Sequence, residues 1–120
     1  MLYAQGVICS MKNPMILREN KDFRRLYAKG KSVASPALVT YMLRNRVGHM
    51  RIGITTSKKI GKAVQRNRSR RVIREAYRQL NLPQQKSIDI VFVARKKTPD
   101  MKTGDLIIDM KSQIKKLGLL

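Results

Sequence analysis

Arginine and lysine side chains at helical spacing are the residues of this sequence whose types and order best suit a chemical role. Residues 58–80 contain nine Lys or Arg and a single acid, Glu75. At about 100° per residue, one ridge of a helix would carry four arginines at i, i+4 spacing: Arg66, Arg70, Arg74 and Arg78. Like charges at this spacing destabilise a helix by about 0.2–0.5 kcal/mol per pair, and a merely solvated face would mix Glu with Lys. The pattern therefore predicts a helix that lies against a polyanion.

The opposite side of the same helix is suited to packing on a core. Asn67 and Arg71 fall on the flank of the arginine ridge, whereas the far side would carry five small or apolar residues: Ser69, Val72, Ile73, Ala76 and Leu80. Arginine makes planar, bidentate contacts to phosphate and also stacks on bases, while side chains that read base edges are scarce in this segment. The helix is therefore suited to the backbone of a folded RNA.

The composition also indicates an anionic partner. Twenty-seven basic and seven acidic residues give a net charge of +20 over 120 residues, with a pI near 11.1. Nucleic acid is the leading candidate, because Lys and Arg that neutralise phosphates release counterions. A membrane partner is not expected, since no run approaches roughly 18 apolar residues. With 42% hydrophobic residues at regular spacing, the chain has enough apolar side chains for one compact domain.

Residues that could form a catalytic or metal site are scarce. Cys9 is the only cysteine, and His49 is the only histidine and falls in a predicted turn, where a surface position is the ordinary expectation. The seven acids are spread along the chain, whereas two-metal nucleases need converging carboxylates. No phosphate-binding loop of the G-x-x-x-x-G-K-[ST] type is present. We therefore expect no catalytic residue, no tightly bound metal and no small-molecule substrate.

The elements that would position the basic residues can be predicted from periodicity and capping signals. They comprise a helix capped by Asn20 that runs to about Lys29 and is stopped by Gly30, strands in 32–44 and 50–56 around a turn, the arginine helix ending near 82–83, a strand at 87–95 and a last helix capped by Thr103. Strands on both sides of the arginine helix predict a single α+β domain. We expect a two-layer sandwich with one covered sheet face.

The first ten residues differ in character from the rest of the chain. They contain no Lys or Arg and no long apolar stretch, which argues against a secretory signal and predicts a cytoplasmic protein. We expect residues 1–10 to be a disordered extension, followed by one RNA-binding domain at 11–120.

Three aromatic residues form a second candidate site. Phe23 and Tyr27 share one side of the first predicted helix, and Tyr41 lies in the strand that follows. Aromatic rings on a sheet surface beside a helix can stack unpaired bases, at about 1–3 kcal/mol per base. Burial in the core is the alternative, and for Phe23 the sequence leaves both possibilities open.

The order of these motifs resembles a known family. The run K-K-x-G-x-A-V-x-R-N-R-x-R-R-x-I-R-E-A-Y at residues 58–77 is similar to the signature of the bacterial ribonuclease P protein subunit. Three further segments resemble the family in the same order: N-x-D-F-x-x-L-Y-x-x-G-K-S at 20–32, R-I-G-I-T-T-S-K-K at 51–59 and D-I-V-F-V-A-R at 89–95. The similarity covers roughly residues 16–117. Arg70 stands where the family more often has Lys, an exchange that keeps the positive charge. Tyr27 stands where Phe is common, an exchange that keeps the aromatic ring.

The resemblance implies a fold and a function that periodicity alone does not give. Members of the family have a ribosomal-protein-like α-β-β-β-α-β-α order, with an unusual left-handed β-α-β crossover through the arginine helix. The protein binds a large catalytic RNA, and the two together cleave precursor tRNA to give the mature 5′ end. Catalysis belongs to the RNA and its bound Mg²⁺, so the polypeptide would be an endoribonuclease subunit without catalytic residues of its own.

The resemblance also implies roles for individual residues. Contacts with the catalytic RNA would come from eight residues of the basic segment: Lys58, Lys59, Arg66, Asn67, Arg68, Arg70, Arg71 and Arg74. The single-stranded 5′ leader of precursor tRNA would lie in a cleft lined by Phe23, Tyr27 and Tyr41, with Lys59 and Arg66 near its edge. Contacts with the leader would separate the precursor from mature tRNA, which has no leader.

Other functions fit parts of the sequence. A basic ribosomal protein that binds ribosomal RNA, with no role in tRNA cleavage, would have a similar composition. It would not discriminate between precursor and mature tRNA through the leader. A DNA-binding protein is less compatible, because no paired helix-turn-helix pattern precedes the arginine helix. A protein-only nuclease would need the carboxylate cluster that the sequence does not predict.

Overall fold

The computed structural model describes residues 15–17, 20–80 and 87–119. Within these ranges the strands are β1 (Met15–Ile16), β2 (Lys31–Ala34), β3 (Leu38–Arg44), β4 (Arg51–Thr55) and β5 (Ile88–Ala94). The helices are α1 (Asn20–Lys29), α2 (Ala63–Leu80) and α3 (Thr103–Lys116), with short 3₁₀ helices at Lys58–Ile60 and Thr98–Asp100. The expected disordered extension at 1–10 and the predicted end of the arginine helix at 82–83 lie outside the described residues.

The five strands form one mixed sheet in the order β1-β4-β5-β3-β2. Strand β5 pairs antiparallel with β3 and parallel with β4, and the two-residue β1 pairs parallel with β4 at the edge. Because β4 and β5 are parallel, the chain between them has to cross over the sheet, and α2 makes this crossover. The predicted α+β domain is confirmed, and from α1 onward its helices and strands follow the predicted α-β-β-β-α-β-α order; the two-residue β1, which precedes α1, was not predicted. The left hand of the crossover stays a prediction.

One face of the sheet packs against α2 and α3. Ile90 and Phe92 of β5 are fully buried there, together with Ile73 of α2 and Met110 of α3. The ring of Tyr77 lies 5.8 Å from that of Phe92, and burial raises the pKa of the Tyr77 hydroxyl. The alternating apolar side chains of β5 and the helically spaced apolar side chains of α2 and α3 thus pack together in a single large core.

The other face of the sheet carries α1. Val91 of β5, Leu26 of α1 and Leu17 form a second buried cluster, against which the side chains of Phe23 and Tyr41 pack. The sequence predicts one covered face, whereas the structure places helices on both. The physical reason is the composition of β5, whose residues are apolar on both faces and would otherwise expose Val91 to water.

A buried carboxylate joins α1 to two inner strands of the sheet, β4 and β5. Asp89 is 1% exposed and accepts two hydrogen bonds from Arg51, at 2.8 Å from Nε and 2.7 Å from Nη2. The side-chain amide of Asn45 donates a third at 2.7 Å, and Arg51 also reaches Asp22 in the first turn of α1 at 3.4 Å. This network fixes the N-terminal end of α1 against β4 and β5 because its charged members are paired and hydrogen-bonded.

The ends of the helices largely follow the sequence signals. Helix α1 ends at Lys29 as predicted, whereas Asn20, which was predicted to cap it, is its first helical residue. Gly30 follows the helix at a position where a Cβ would lie 2.6 Å from the carbonyl oxygen of Leu26 and 2.9 Å from that of Met42. The prediction that Thr103 caps α3 is wrong by one residue. Lys102 occupies the cap position in an extended conformation, without a side-chain hydrogen bond, and Thr103 is the first helical residue.

We expect Asp89→Asn to lower the free energy of unfolding by about 1.5–3 kcal/mol, since Arg51 would lose a charged, hydrogen-bonded partner inside the fold. Urea denaturation at fixed sulfate concentration measures the change. Asp100→Asn is the matched control, because it removes the same charge from an exposed residue. Equal destabilisation by the two substitutions would show that the Asp89 network contributes nothing specific.

Candidate nucleic-acid interface

Helix α2 turns its small and apolar side toward the core. Ser69, Val72, Ile73 and Ala76 are buried, as the sequence predicts, and Leu80 is half-buried and packs against the same core. Ser69 is accommodated because its hydroxyl donates to the carbonyl oxygen of Gln65 at 2.9 Å. The basic side of α2 therefore points away from the sheet.

The predicted arginine ridge is not exposed along its whole length. Arg74 and Arg78 are exposed, whereas Arg66 and Arg70 are half-buried. Successive residues of an i, i+4 row are displaced by about 40° around a helix, so the ridge drifts by roughly 120° from Arg66 to Arg78. The outward stripe is made instead of four exposed residues: Asn67, Arg71, Arg74 and Arg78.

Contacts with the protein itself position several of the basic side chains. Arg66 donates from Nη1 to the carbonyl oxygen of Gly61 at 2.8 Å, and Arg68 donates from Nε to the carbonyl oxygen of Pro99. Arg70 donates to the side-chain oxygen of Asn67 at 3.2 Å. These bonds occupy one edge of each guanidinium, so the remaining N–H groups can still bind a phosphate.

The last arginine of the stripe is paired within the helix. Arg78 forms an ion pair with Glu75, and Gln79 donates to the same carboxylate at 2.7 Å. The hydrogen bonds from Arg78 and Gln79 hold the pKa of the Glu75 carboxyl below its usual range. Glu75 thus neutralises the end of the stripe nearest the C-terminus of α2.

Four of the eight residues predicted to contact RNA are cations without a partner among the residues that the structure describes. These are Lys58, Lys59, Arg71 and Arg74, whose side chains take part in neither a hydrogen bond nor an ion pair there. Lys58 and Lys59 are exposed at the 3₁₀ helix, which the buried Ile60 holds against the core. Unpaired cations at fixed positions are available to the phosphates of a polyanion.

The three predicted aromatic residues meet on the α1 face of the sheet. The ring centroids of Tyr27 and Tyr41 are 4.9 Å apart at 72°, and those of Phe23 and Tyr27 are 6.5 Å apart. Tyr27 is 43% exposed, and its hydroxyl lies 3.2 Å from that of Thr55 at the end of β4. Phe23 is half-buried, with its ring so close to Gly53 that a Cβ there would lie 2.9 Å from it. Phe23 therefore both packs on the core and borders the surface.

A cleft of about 460 Å³ opens beside these rings. Its lining consists of Asn20, Phe23, Arg24, Tyr27 and Thr55. Tyr41 supports Tyr27 rather than lining the cleft itself. Asn20, Arg24 and Thr55 were not predicted as lining residues, although Asn20 and Arg24 share the helical face of Phe23 and Tyr27 at i, i+3, i+4 and i+7 spacing. Thr55 could only be placed from the tertiary structure.

The cleft and the basic surface are close along the chain. Thr55 ends β4, residues 56–62 contain the 3₁₀ helix with Lys58 and Lys59, and α2 begins at Ala63. The two candidate sites nevertheless lie on different sides of the sheet, because α1 and α2 pack on opposite faces. The protein can therefore present phosphate-binding and base-stacking groups to separate parts of an RNA.

Other functional groups are sparse in the part of the chain that the structure describes. It contains no group of three or more His, Cys, Asp or Glu side chains arranged to hold a metal ion. Neither of the long described ranges, 20–80 and 87–119, includes a helix long and apolar enough to cross a membrane. His49 is half-buried rather than fully exposed in its turn, and its backbone carbonyl accepts from the Asn45 amide at 3.1 Å.

Curated relatives match most of this chain. The ribonuclease P protein component of Clostridioides difficile is 44% identical over 105 residues, which cover 86% of this chain and 91% of that protein. The corresponding protein of Alkaliphilus oremlandii is 39% identical over 104 residues, with 87% and 91% coverage.

Solved structures agree with these relatives. The RNase P protein of Staphylococcus aureus is 35% identical, with a TM-score of 0.74 over 89% of this chain and 98% of that one. The RNase P protein of Thermotoga maritima is 30% identical, with a TM-score of 0.67 over 80% and 91%. The family model for Ribonuclease P matches residues 11–118. The fold that carries the basic α2 surface and the aromatic cleft is therefore shared with these proteins. The chain belongs to the ribonuclease P protein family.

Proposed function

We propose that the protein is the subunit of a ribonuclease P holoenzyme that binds both the catalytic RNA and the 5′ leader of precursor tRNA. Membership of the family implies a role in tRNA 5′ processing. The observation that best supports the finer proposal is the separation of two chemically different sites on one small domain. One site carries unpaired cations, and the other carries exposed aromatic and polar groups in a cleft.

The basic surface would bind the catalytic RNA. The residues proposed for this contact are Lys58, Lys59, Arg66, Asn67, Arg68, Arg70, Arg71 and Arg74. Their density favours contacts with phosphates over the reading of base edges, since Asn67 is the single amide among them and its oxygen already accepts from Arg70. Binding of this kind neutralises several phosphates at once and weakens with salt.

The aromatic cleft would bind the leader of precursor tRNA. The exposed ring of Tyr27, supported by Tyr41, offers a stacking surface that suits unpaired bases. Paired bases present no free face to such a ring, so the cleft favours a single strand. Because mature tRNA lacks the leader, this contact would favour the precursor over the product.

Catalysis in the holoenzyme would belong to the RNA. Phosphodiester hydrolysis with Mg²⁺ needs metal ligands at the scissile phosphate, and the RNA phosphates would supply them. The protein would contribute positive charge that offsets repulsion between RNA and tRNA, and contacts that orient the leader. The holoenzyme would act in the cytoplasm, with no membrane or small-molecule partner.

The ribosomal alternative differs in one testable respect. A ribosomal protein would bind RNA through the same α2 surface but would have no need of a leader-dependent cleft. Precursor tRNA cleavage by a bacterial ribonuclease P RNA at low Mg²⁺, with and without the protein, separates the two functions. We expect correct 5′ cleavage only when the protein is present. No stimulation, with the high-Mg²⁺ activity of the RNA intact, would favour the ribosomal alternative.

We expect Arg74→Ala to weaken assembly with the catalytic RNA, because an unpaired phosphate-binding cation is lost. The slope of log K against log salt concentration should fall by about 1. Filter binding or fluorescence titration across a salt series measures both quantities. Arg78→Ala is the matched control, since Glu75 already pairs with that arginine. Arg68→Ala is expected to weaken assembly as well, but it also removes a contact with Pro99 and is therefore the less direct test.

We expect Tyr27→Ala to weaken binding of precursor tRNA to the holoenzyme by about 5- to 150-fold, the equivalent of about 1–3 kcal/mol for one stacked base. Affinity for mature tRNA and assembly with the RNA should not change. Tyr27→Phe keeps the ring and should bind the precursor nearly as well as the unaltered protein. If Tyr27→Ala lowered the affinities for precursor and mature tRNA equally, the cleft would not be the leader site.

A further inference from the structure

Helix α1 carries two adjacent arginines that differ in their surroundings. Arg24 and Arg25 are both exposed, but consecutive residues point about 100° apart on a helix. Arg24 lines the cleft together with Asn20, Phe23 and Tyr27, whereas Arg25 does not. Of the described residues that form the lining, Arg24 is the one with a positive charge.

The Arg24 guanidinium has no partner within the described residues. No hydrogen bond or ion pair engages its side chain there, and the nearest acid along the helix, Asp22, is in contact with Arg51 at 3.4 Å. The residues one turn away on α1 are Asn20, Lys21, Tyr27 and Ala28, none of which is acidic. All five N–H donors of Arg24 can therefore be directed at a ligand in the cleft.

The groups around Arg24 match the parts of one nucleotide. Tyr27 offers an aromatic face, Asn20 offers an amide that can both donate and accept, and the paired hydroxyls of Tyr27 and Thr55, two lining residues, lie 3.2 Å apart. Arg24 is one residue from Phe23 and one turn from Tyr27, so its long side chain can reach a phosphate next to a base stacked on either ring. An aromatic face beside a guanidinium is the combination that binds single-stranded nucleic acid.

We propose that Arg24 binds a backbone phosphate of the leader strand in this cleft. The inference rests on the proposed leader-binding function and extends it: the protein would hold the leader through charge as well as stacking, independently of the leader's base sequence. Arg24 would act as a binding residue for the substrate and would have no part in assembly with the catalytic RNA.

The test compares Arg24→Gln with Arg25→Gln in the assembled holoenzyme. Both changes remove one positive charge from adjacent exposed positions of the same helix, so any general effect of net charge is equal. We expect Arg24→Gln to weaken binding of precursor tRNA by about three- to tenfold and to lower the salt slope by about 0.7, the value for one phosphate contact on a single strand. Arg25→Gln should change neither quantity, and neither substitution should affect mature tRNA or assembly.

A second measurement identifies the phosphate. Precursors that carry a single uncharged methylphosphonate at successive leader positions would be bound to the unaltered and the Arg24→Gln holoenzymes. At the contacted position, we expect the uncharged linkage to weaken the unaltered holoenzyme and to have no further effect on the variant. Additive losses at every position would overturn the proposal, as would equal effects of Arg24→Gln and Arg25→Gln.

These measurements distinguish an error in the proposed role of Arg24 from an error in the proposed leader-binding function. If the unaltered holoenzyme prefers leader-bearing precursor over mature tRNA but Arg24→Gln matches Arg25→Gln, only the role of Arg24 is overturned. If the unaltered holoenzyme binds both tRNAs equally, the leader-binding function itself is overturned and the role of Arg24 with it.

Discussion

The burial of both faces of β5 is the constraint on which the rest of the structure depends. Its even-numbered residues Ile90 and Phe92 lie in the core beneath α2 and α3, and Val91 lies beneath α1. Because this one seven-residue strand contributes to both cores, it fixes the position of α1 relative to α2. The cations of α2 then point away from the sheet on one side. On the opposite side, the aromatic residues of α1 border the surface cleft. The two candidate sites are thus consequences of how the apolar residues of β5 are covered.

The distribution of acids has a similar consequence for charge. Asp89 and Asp22 pair with Arg51 inside the fold, and Glu75 pairs with Arg78, so these acids leave Arg71 and Arg74 of the outward stripe without a counter-charge. With a net charge of +20, the folded chain carries a repulsion that lowers its stability. A polyanion that binds the folded state supplies the missing negative charge and stabilises it by linkage. We therefore expect the stability of the folded chain to rise when anions bind.

The buried side of a single helix could be predicted from the spacing of its apolar residues. Contacts between different helices and strands could not. Ser69, Val72, Ile73 and Ala76 were predicted to be buried because helical spacing alone defines their face. The second covered sheet face was missed, since alternation in a strand does not say which element covers each side. Likewise, the sequence places Arg66 and Arg68 on α2, but only the fold brings their guanidinium groups to the carbonyl oxygens of Gly61 and Pro99. Thr55 joins Tyr27 across 28 residues, a separation that local patterns do not bridge.

The presence of two different sites on one domain also bears on how a substrate would be released. In the proposed holoenzyme, a precursor held at the RNA active site and at the cleft would be bound at two points, and the second contact would gain from the high effective concentration that the first provides. Cleavage at the 5′ junction would cut the connection between the two points. The leader would then keep only the cleft contact and mature tRNA only the RNA contact, so each would be held more weakly than the intact precursor. Moderate affinity in the cleft would therefore be an advantage, because a leader bound tightly by itself would block the next precursor. A half-exposed ring such as Tyr27 and a flexible, solvent-accessible arginine such as Arg24 suit that requirement better than a closed, deeply buried pocket.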